Sequence, residues 1–381
     1  MRGLKYISFH EKSGYGISGS RYFKGLAKSQ KIDLTWTPLV VGPGLGYGYE
    51  PYSGENLEIE NMLGFCNKRI NYDTVIVHTV PEYFPIIKKY EAGKKIIGYT
   101  VWETDKIPQS WYKLLQIPDL IFVPSEFTAR VFKNCKINKP IEVIPHIIGQ
   151  YDMDTDDTFE DLYQIPKNKF LFYSIGTWTF RKAIYDLIES YLQTFTKDDP
   201  VTLLIKTSDK DFTVHPRLQN IFTVKKAVKK IQKKYKNPAQ IILIDKEIPD
   251  EHISSLHKRG DCFISLARSE GFGMCPFEAA NYANPVIMTA WGGQCDYLDS
   301  NLSYLVDYKL SQVIDKRAKK IYSRDQKWAV ADRNHASYLL KEVYENFNEA
   351  KIKAKELQNI IRKSYNETII TEKILCSLEK I

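Results

Sequence analysis

The chain has 381 residues, 43% of them hydrophobic, and a formal net charge of +8. This length predicts two domains, this composition can supply each with a core, and the positive charge suits an anionic substrate or an anionic membrane surface without identifying either. No apolar run approaches the ~18 residues that a membrane-spanning helix needs, which argues against a transmembrane protein.

The N-terminus and the cysteines indicate where the protein works. The opening segment MRGLKYISFH predicts a first strand and lacks the pattern of a secretory signal. The six cysteines are scattered without a CxxC pair, which indicates reduced thiols and argues against a zinc site. We therefore expect a cytoplasmic protein, either free or at the periphery of a membrane.

Strands and helices alternate along the chain, twice over. Strands are predicted at 4–9, 34–41, 73–79, 95–101, 119–124 and 141–145, and again at 170–175, 201–206, 240–245, 261–266, 285–289 and 303–306. Most are near-continuous apolar runs, as strands covered on both faces must be. With helices between them, for example at 181–196 and 216–235, the pattern predicts doubly wound parallel α/β sheets. After residue 309 the strand signals stop, and helices are expected to the C-terminus.

A polar, acidic stretch at 152–161 lies between the two halves and is interpreted as a linker. The domains expected on either side are an N-terminal one over residues 1–160 and a C-terminal one over residues 161–365. Both are long enough to fold as α/β domains.

Two glycine-rich segments, both interpreted as loops, occur in the first half. Gly14 and Gly16 follow the first strand and would let the backbone pass close to a ligand, although the dinucleotide fingerprint GxGxxG is absent. The second segment, 42–54, carries Tyr47 and Tyr49. It predicts either a mobile loop whose rings stack on sugar or a long surface loop.

Acidic side chains follow the strand that is predicted to end near Trp102. Glu103 and Asp105 come directly after it, at the carboxyl edge where ligands of open α/β sheets bind. The alternative is that Asp105 caps a helix and Glu103 is an ordinary surface residue.

Two adjacent cations follow the strand 170–175. Arg181 and Lys182 come after Gly176 and a short loop, where a helix is predicted to start. Cations at that end oppose the helix dipole, and a bound diphosphate would resolve the conflict. The alternative is a pair of solvated first-turn cations.

The densest run of positive charge is 225–236. Val224, Val228 and Ile231 repeat at helical spacing, which predicts an amphipathic helix with a lysine face. A solvated face is the favoured interpretation, and contact with an anionic membrane is the main alternative. Nucleic-acid binding ranks third because no aromatic side chains interleave with the lysines, and we expect no nucleic-acid partner.

The segment after the strand 261–267 is the most informative part of the chain. Glu270 precedes the turn Gly271-Phe272-Gly273, and a helix carrying Glu278 is predicted to follow, with Pro276 in its first turn. A helix start exposes free N–H groups that bind anions and hydroxyl oxygens. Two carboxylates beside such donors could hold a sugar and a ribose. The alternative is two solvated glutamates.

This segment resembles the Glu-x7-Glu signature of retaining GT-B glycosyltransferases, family 4. The resemblance covers most of residues 95–350 and is thinner in the first 90. It implies that Glu270 contacts the hydroxyls of the transferred sugar and that Glu278 holds the ribose. Further donor contacts are expected from Gly271, Phe272, Gly273 and Met274, from the loop residues Lys246 and Ile248, and from Gly14 and Gly16.

The resemblance also implies roles for the other candidates. Arg181 and Lys182 would neutralise the departing diphosphate, although many members of the family space these cations several residues apart. Glu103 or Asp105 would meet the acceptor, together with Tyr47 and Tyr49.

The same resemblance implies a fold and a reaction. Two Rossmann-like domains would face each other across a cleft, with a last helix at 366–381 returning to the first domain. The reaction would move a hexose or deoxyhexose from a nucleoside-diphosphate sugar to a glycan or glycolipid acceptor, with retention of configuration. No cofactor and no metal is expected, and Asp154-Thr155-Asp156 is interpreted as an accidental match to a metal motif. The alternatives are a nucleotide-sugar epimerase and a catalytically silent binding module.

Overall fold

Each of two compact units of the chain is built around a six-stranded sheet. The computed structural model describes residues 2–10, 13–39, 62–149, 158–315, 318 and 321–381. Unit 1 comprises Met1–Ile148 with Ser364–Ile381, and unit 2 comprises Gly149–Lys363. Much of the segment interpreted as a linker lies outside the described residues, whereas its end begins a short helix at Phe159.

The strands of unit 1 are β1 (Gly3–Phe9), β2 (Asp33–Leu39), β3 (Thr74–His78), β4 (Lys95–Tyr99), β5 (Leu120–Val123) and β6 (Ile141–Val143). They pair in the order β2-β1-β3-β4-β5-β6, and every pair is parallel. The intervening helices include α1 (Gly14–Ser29), α2 (Phe84–Tyr90), α3 (Trp111–Leu114) and α4 (Glu126–Asn134). The strands were predictable because their apolar runs are buried between such helices.

The strands of the sheet in unit 2 are β7 (Phe170–Ile175), β8 (Val201–Lys206), β9 (Gln240–Ile244), β10 (Cys262–Ser265), β11 (Val286–Thr289) and β12 (Tyr304–Val306). Their order is β12-β11-β10-β7-β8-β9, again parallel throughout. The helices are α5 (Phe159–Leu162), α6 (Ile184–Thr194), α7 (Val224–Gln232), α8 (Asp250–Arg259), α9 (Met274–Asn281), α10 (Arg333–Glu345) and α11 (Phe347–Ser364). The two parallel sheets confirm the predicted α/β fold class.

The expectation that strands stop after residue 309 is wrong. β13 (Tyr308–Gln312) and β14 (Lys327–Ala331) form an antiparallel pair outside the main sheets. Most residues of β13 are exposed, so it lacks the apolar run that marks a buried strand.

Two helices begin later than their sequence periodicity predicts. The helix expected at 181–196 begins at Ile184, because Ala183 has a left-handed backbone with φ 48° that cannot continue a helix backwards. The helix expected at 216–235 begins at Val224, and residues 216–222 form a 3₁₀ turn followed by irregular structure instead.

The last helix, α12 (Glu367–Glu379), packs in unit 1, as the GT-B resemblance implies. It lies so close to α1 that a Cβ added at Gly25 would be 2.2 Å from the Thr371 hydroxyl oxygen. Ile370, Ile374 and Leu378 join the core of unit 1. Among the described residues, no helix is both long and apolar enough to cross a membrane.

Candidate active site

The candidate site lies where three neighbouring strands of unit 2 end. Ile175 of β7 is level with Lys206 of β8, and continuing the pairing of β7 with β10 brings Ser265 to the same level. Because the strands are parallel, the segments that follow all leave the same carboxyl edge of the sheet. Two of them carry the cations and the glutamate singled out by the sequence.

Glu270 joins the two cations. The Lys182 ammonium donates to Glu270 Oε1 at 2.5 Å, and the Arg181 guanidinium lies 2.9 Å from Glu270 Oε2. All three side chains are largely buried, with Glu270 only 10% exposed. The predicted catalytic residues are therefore brought together into one cluster, Arg181-Lys182-Glu270.

Backbone contacts hold this cluster in place. The Arg181 guanidinium also donates to the carbonyl of Ser269 at 2.7 Å, and the N–H of Arg268 donates to the carbonyl of Arg181 at 2.7 Å. The fully buried Trp178 anchors the same loop in the core of unit 2. The cations are thus fixed before α6 begins, and not within its first turn as predicted.

The electrostatics of the cluster keep Glu270 ionised. Burial alone would raise its pKa, but the positive charges of Arg181 and Lys182, and the hydrogen bonds they donate, lower the pKa to about 2. The carboxylate therefore stays charged at neutral pH and can accept hydrogen bonds. It cannot donate a proton as a general acid there.

The turn after Glu270 packs against a second turn, at 291–293. The N–H of Gly293 donates to the carbonyl of Glu270 at 2.7 Å, and a Cβ added at Gly293 would lie 1.9 Å from the carbonyl oxygen of Gly271. Gly292 has φ +125°, a backbone conformation that residues with a side chain rarely adopt. These glycines are needed for the close approach of the two backbones.

Aromatic packing fixes the other side of the turn. Phe272 is 2% exposed and its ring packs against Phe277 and Tyr297. The Tyr297 hydroxyl donates to the carbonyl of Gly273 at 2.5 Å. The side chain of Phe272 is therefore committed to the core, and only its backbone is placed to meet a ligand.

Replacing Gly293 by alanine should distort this pair of turns. The methyl group cannot fit 1.9 Å from the Gly271 oxygen, so the backbone beside Glu270 must move, at a cost of about 2 kcal/mol. We expect a lower unfolding free energy by urea titration, together with weaker donor binding. Gly64→Ala, where an added Cβ would have nothing within 4 Å, is the matched control. Unchanged stability and binding in Gly293→Ala would contradict the tight packing.

α9 begins directly after this turn, with Gly273 as its N-cap at φ +87°. No side chain caps this end, and Pro276 in the first turn has no N–H to satisfy. The first N–H groups of α9 and its positive dipole end therefore lie next to the Glu270 turn.

Lys206 was missed as a candidate. It is the last residue of β8, level with the strand end that leads to Gly176, and Gly176 N–H donates to its carbonyl at 3.0 Å. Burial lowers the pKa of Lys206. Burial also raises the pKa of the Cys275 thiol in α9, and the positive charges of Lys182 and Lys206 oppose that rise. The available signal was a lysine ending an otherwise apolar strand, at the edge where ligands bind.

The family of unit 2 follows from comparison with known proteins. Residues 156–336 match the family model described as glycosyl transferases group 1. Unit 2 is a group 1 glycosyltransferase domain. This match confirms the family predicted from the spacing of Glu270 and Glu278. No curated protein is significantly similar to the chain in sequence.

Solved structures with the GT-B fold resemble the whole chain at low identity. The Anabaena protein HepE, solved with UDP-glucose, has a TM-score of 0.67 and 12% identity, with all of both chains covered. Sucrose-phosphate synthase from Thermosynechococcus elongatus has a TM-score of 0.69 and 12% identity over 100% of this chain and 99% of that one. A glycosyltransferase from Rickettsia africae has a TM-score of 0.67 and 17% identity over 100% and 98%.

The remaining donor candidates of the glycosyltransferase domain lie at its sheet edge or in α9. Met274 and Glu278 are half-buried in the first two turns of α9. Lys246 and Ile248 follow β9, and the exposed Lys246 ammonium lies 5.5 Å from the centre of the Tyr163 ring. Their roles toward a nucleotide stay predictions.

The structure corrects two predictions about the candidate residues of unit 1. Gly14 and Gly16 form the first turn of α1, not a loop, and Ser13 caps it by accepting from Gly16 N–H at 3.2 Å. β4 ends at Tyr99, before Trp102, and no helix begins at Asp105, so the capping alternative is wrong.

Glu103 and Asp105 follow β4 in a segment folded around the buried Trp102. Its indole N–H donates to the Thr104 hydroxyl at 2.9 Å and to the carbonyl of Lys106 at 2.8 Å. Glu103 lies near enough to Tyr15 to help raise that phenol's pKa, an effect in which burial is the largest cause.

Tyr47, Tyr49, Asp154 and Asp156 lie outside the described residues. Among the residues that the structure describes, no group of three His, Cys, Asp or Glu side chains could hold a metal ion.

Proposed function

We propose that the protein is a retaining, metal-independent glycosyltransferase that moves a hexose or deoxyhexose from a nucleoside-diphosphate sugar to a hydroxyl of a glycan or glycolipid. The Arg181-Lys182-Glu270 cluster beside the start of α9 carries this proposal. The group 1 family match and the likeness to HepE, solved with UDP-glucose, support it.

The charge of the cluster suits a departing diphosphate. Two cations and one carboxylate leave a net charge of +1, and the N–H groups at the start of α9 add partial positive charge. Lys206 at the neighbouring strand end supplies a further cation. These groups are fixed before the reaction begins, so little reorganisation is needed as negative charge grows on the leaving phosphate.

The proposed reaction exchanges one bond at the anomeric carbon for another. The bond from this carbon to the β-phosphate oxygen breaks, and the electron pair leaves with the diphosphate. The acceptor hydroxyl oxygen forms the new bond on the same face, and its proton passes to the departing phosphate oxygen. This scheme requires no nucleophile from the protein.

Glu270 has two tasks in this proposal. Its carboxylate orients Lys182 and Arg181 through a separate oxygen for each cation. Because its pKa is about 2, it remains an acceptor for sugar hydroxyls at neutral pH. Glu278 would hold the ribose from within α9, and Glu103 with Asp105 would meet the acceptor.

A donor screen tests the proposal directly. A matching nucleoside-diphosphate sugar at about one hundred times its Kd stabilises the fold by ~2.7 kcal/mol, which should raise Tm by roughly 5–10 °C. UDP, GDP, ADP and dTDP sugars are compared by thermal shift, with Glu278→Ala as the low-affinity variant because Glu278 would hold the ribose. The donor that shifts Tm is then tested for transfer with and without acceptor, and with EDTA present. No shift from any of the four classes, or transfer abolished by EDTA, would contradict the proposal as stated.

A further inference from the structure

The apolar face of α7 is already used inside unit 2. Val224, Val228 and Ile231 are at most 4% exposed and belong to the core cluster of this unit. α7 therefore cannot insert that face into a bilayer while unit 2 is folded, which excludes the usual mode of an amphipathic membrane helix. Only its lysine face is available to a partner.

The lysine face is part of a larger basic surface. Residues 212–244 contain no Asp or Glu. The basic patch is defined by their eight exposed cations: Arg217, Lys225, Lys226, Lys229, Lys230, Lys233, Lys234 and Lys236. Two of these lysines are paired, Lys225 with Asp245 at 2.9 Å and Lys234 with Glu189 at 2.7 Å. The other cations of the patch have no carboxylate partner within 4 Å among the described residues, so their charge is available to an anionic surface.

Three apolar side chains adjoin the basic patch. The apolar turn is defined by Leu218, Ile221 and Phe222, which are 41%, 54% and 48% exposed. The N–H groups of Ile221 and Phe222 both donate to the carbonyl of Leu218, so the segment is a compact turn. The Lys226 ammonium donates to the carbonyl of Ile221 at 2.8 Å, which ties this turn to the first turn of α7.

We propose that the basic patch and the apolar turn together bind the surface of an anionic lipid bilayer. Lysines near such a surface each strengthen binding about fivefold, and exposed Ile, Leu and Phe side chains add to the affinity by entering the interfacial layer. Charge complementarity selects an anionic surface, and the adjoining apolar side chains select lipid over nucleic acid. This binding goes beyond glycosyl transfer and requires neither donor nor acceptor.

Vesicle sedimentation without substrates tests the contribution of the basic patch to membrane binding. The intact protein should bind phosphatidylglycerol–phosphatidylcholine vesicles and not phosphatidylcholine alone, and added salt should weaken the binding. Lys229→Gln with Lys230→Gln should lower the affinity about thirtyfold, equivalent to ~2 kcal/mol. Lys89→Gln with Lys133→Gln makes the same change of net charge at exposed lysines of unit 1 and should have little effect. Equal losses in both double variants would show attraction by net charge alone and overturn the assignment.

The apolar turn has its own test. Ile221→Ser with Phe222→Ser should lower vesicle affinity roughly tenfold. The control is Ile352→Ser with Ile360→Ser, because both isoleucines are exposed on α11. Light scattering measures the oligomeric state of each variant. Unchanged vesicle binding, with a dimer converted to a monomer by the apolar-turn variant, would assign the turn to a second copy and refute the membrane role. Donor-induced thermal shifts are measured on the same proteins, so failure of membrane binding is distinguishable from failure of the proposed reaction.

Discussion

Lys182→Ala is expected to lower kcat for glycosyl transfer by about 10²–10³-fold. The lysine ammonium is one of two cations joined to Glu270, and in the proposed reaction it stabilises charge that grows on the leaving diphosphate. Loss of one preorganised donor of this kind typically raises the barrier by ~3–4 kcal/mol. The fold should persist, because Arg181 still neutralises the buried carboxylate at 2.9 Å. Steady-state kinetics with the identified donor measure the effect.

The controls separate chemistry from folding and from net charge. Lys341→Ala removes an exposed lysine of α10 and should leave kcat unchanged. Lys182→Arg keeps the charge and should recover part of the lost rate. A reduced kcat with an unaltered Tm supports the assignment. A rise in KM alone, with kcat intact, would place Lys182 in ground-state binding and contradict its role at the leaving group.

Glu270→Gln is expected to lower the free energy of unfolding by about 3 kcal/mol at neutral pH. The glutamine has no charge, so Lys182 and Arg181, which are 20% and 22% exposed, lose the carboxylate that joins them. Because the pKa of Glu270 is about 2 in the folded protein and 4.5 ordinarily, its stabilising effect is complete above pH 4.5. The effect is lost as the pH falls from 4.5 through 2.

Urea unfolding at a series of pH values checks this prediction. The difference between wild type and Glu270→Gln should narrow on acidification, since the wild-type carboxylate becomes protonated. Glu189→Gln is a matched control: Glu189 also contacts two cations, Lys234 and Arg333, but these are 57% and 43% exposed. Glu189→Gln should lower the free energy of unfolding by at most ~1 kcal/mol. The buried ion cluster would be contradicted if Glu270→Gln lowered the free energy of unfolding no more than Glu189→Gln does, or if its effect did not change with pH.

The main sheets were predictable because each strand is an apolar run between helices. β13 was not, since its exposed residues YKLSQ resemble a polar loop and it pairs with β14 outside the main sheets. The start of α6 was also missed, because a left-handed alanine at position 183 leaves no mark in the sequence. Such features depend on tertiary context and not on local composition.

The individual residues of the candidate site were predictable from the sequence, but the contact between them was not. Glu270 and Lys182 were each selected by the motif around them, although 88 positions separate them. Their ion pair depends on β10 lying beside β7, and sequence order alone does not determine which strands are neighbours. Lys206 was missed for a related reason, because the pairing of β7 with β8 is what brings it level with Ile175, directly before Gly176.

The packing of α12 against α1 has a consequence for synthesis on the ribosome. Unit 1 consists of two pieces of chain, and the second, Ser364–Ile381, follows the whole of unit 2. The first 148 residues therefore emerge from the ribosome before Ile370 and Ile374, which belong to the same core cluster as Leu26, have been translated. Unit 2 is a continuous segment that is translated before Ser364–Ile381, so unit 1 can complete its core only after the whole of unit 2 has been made.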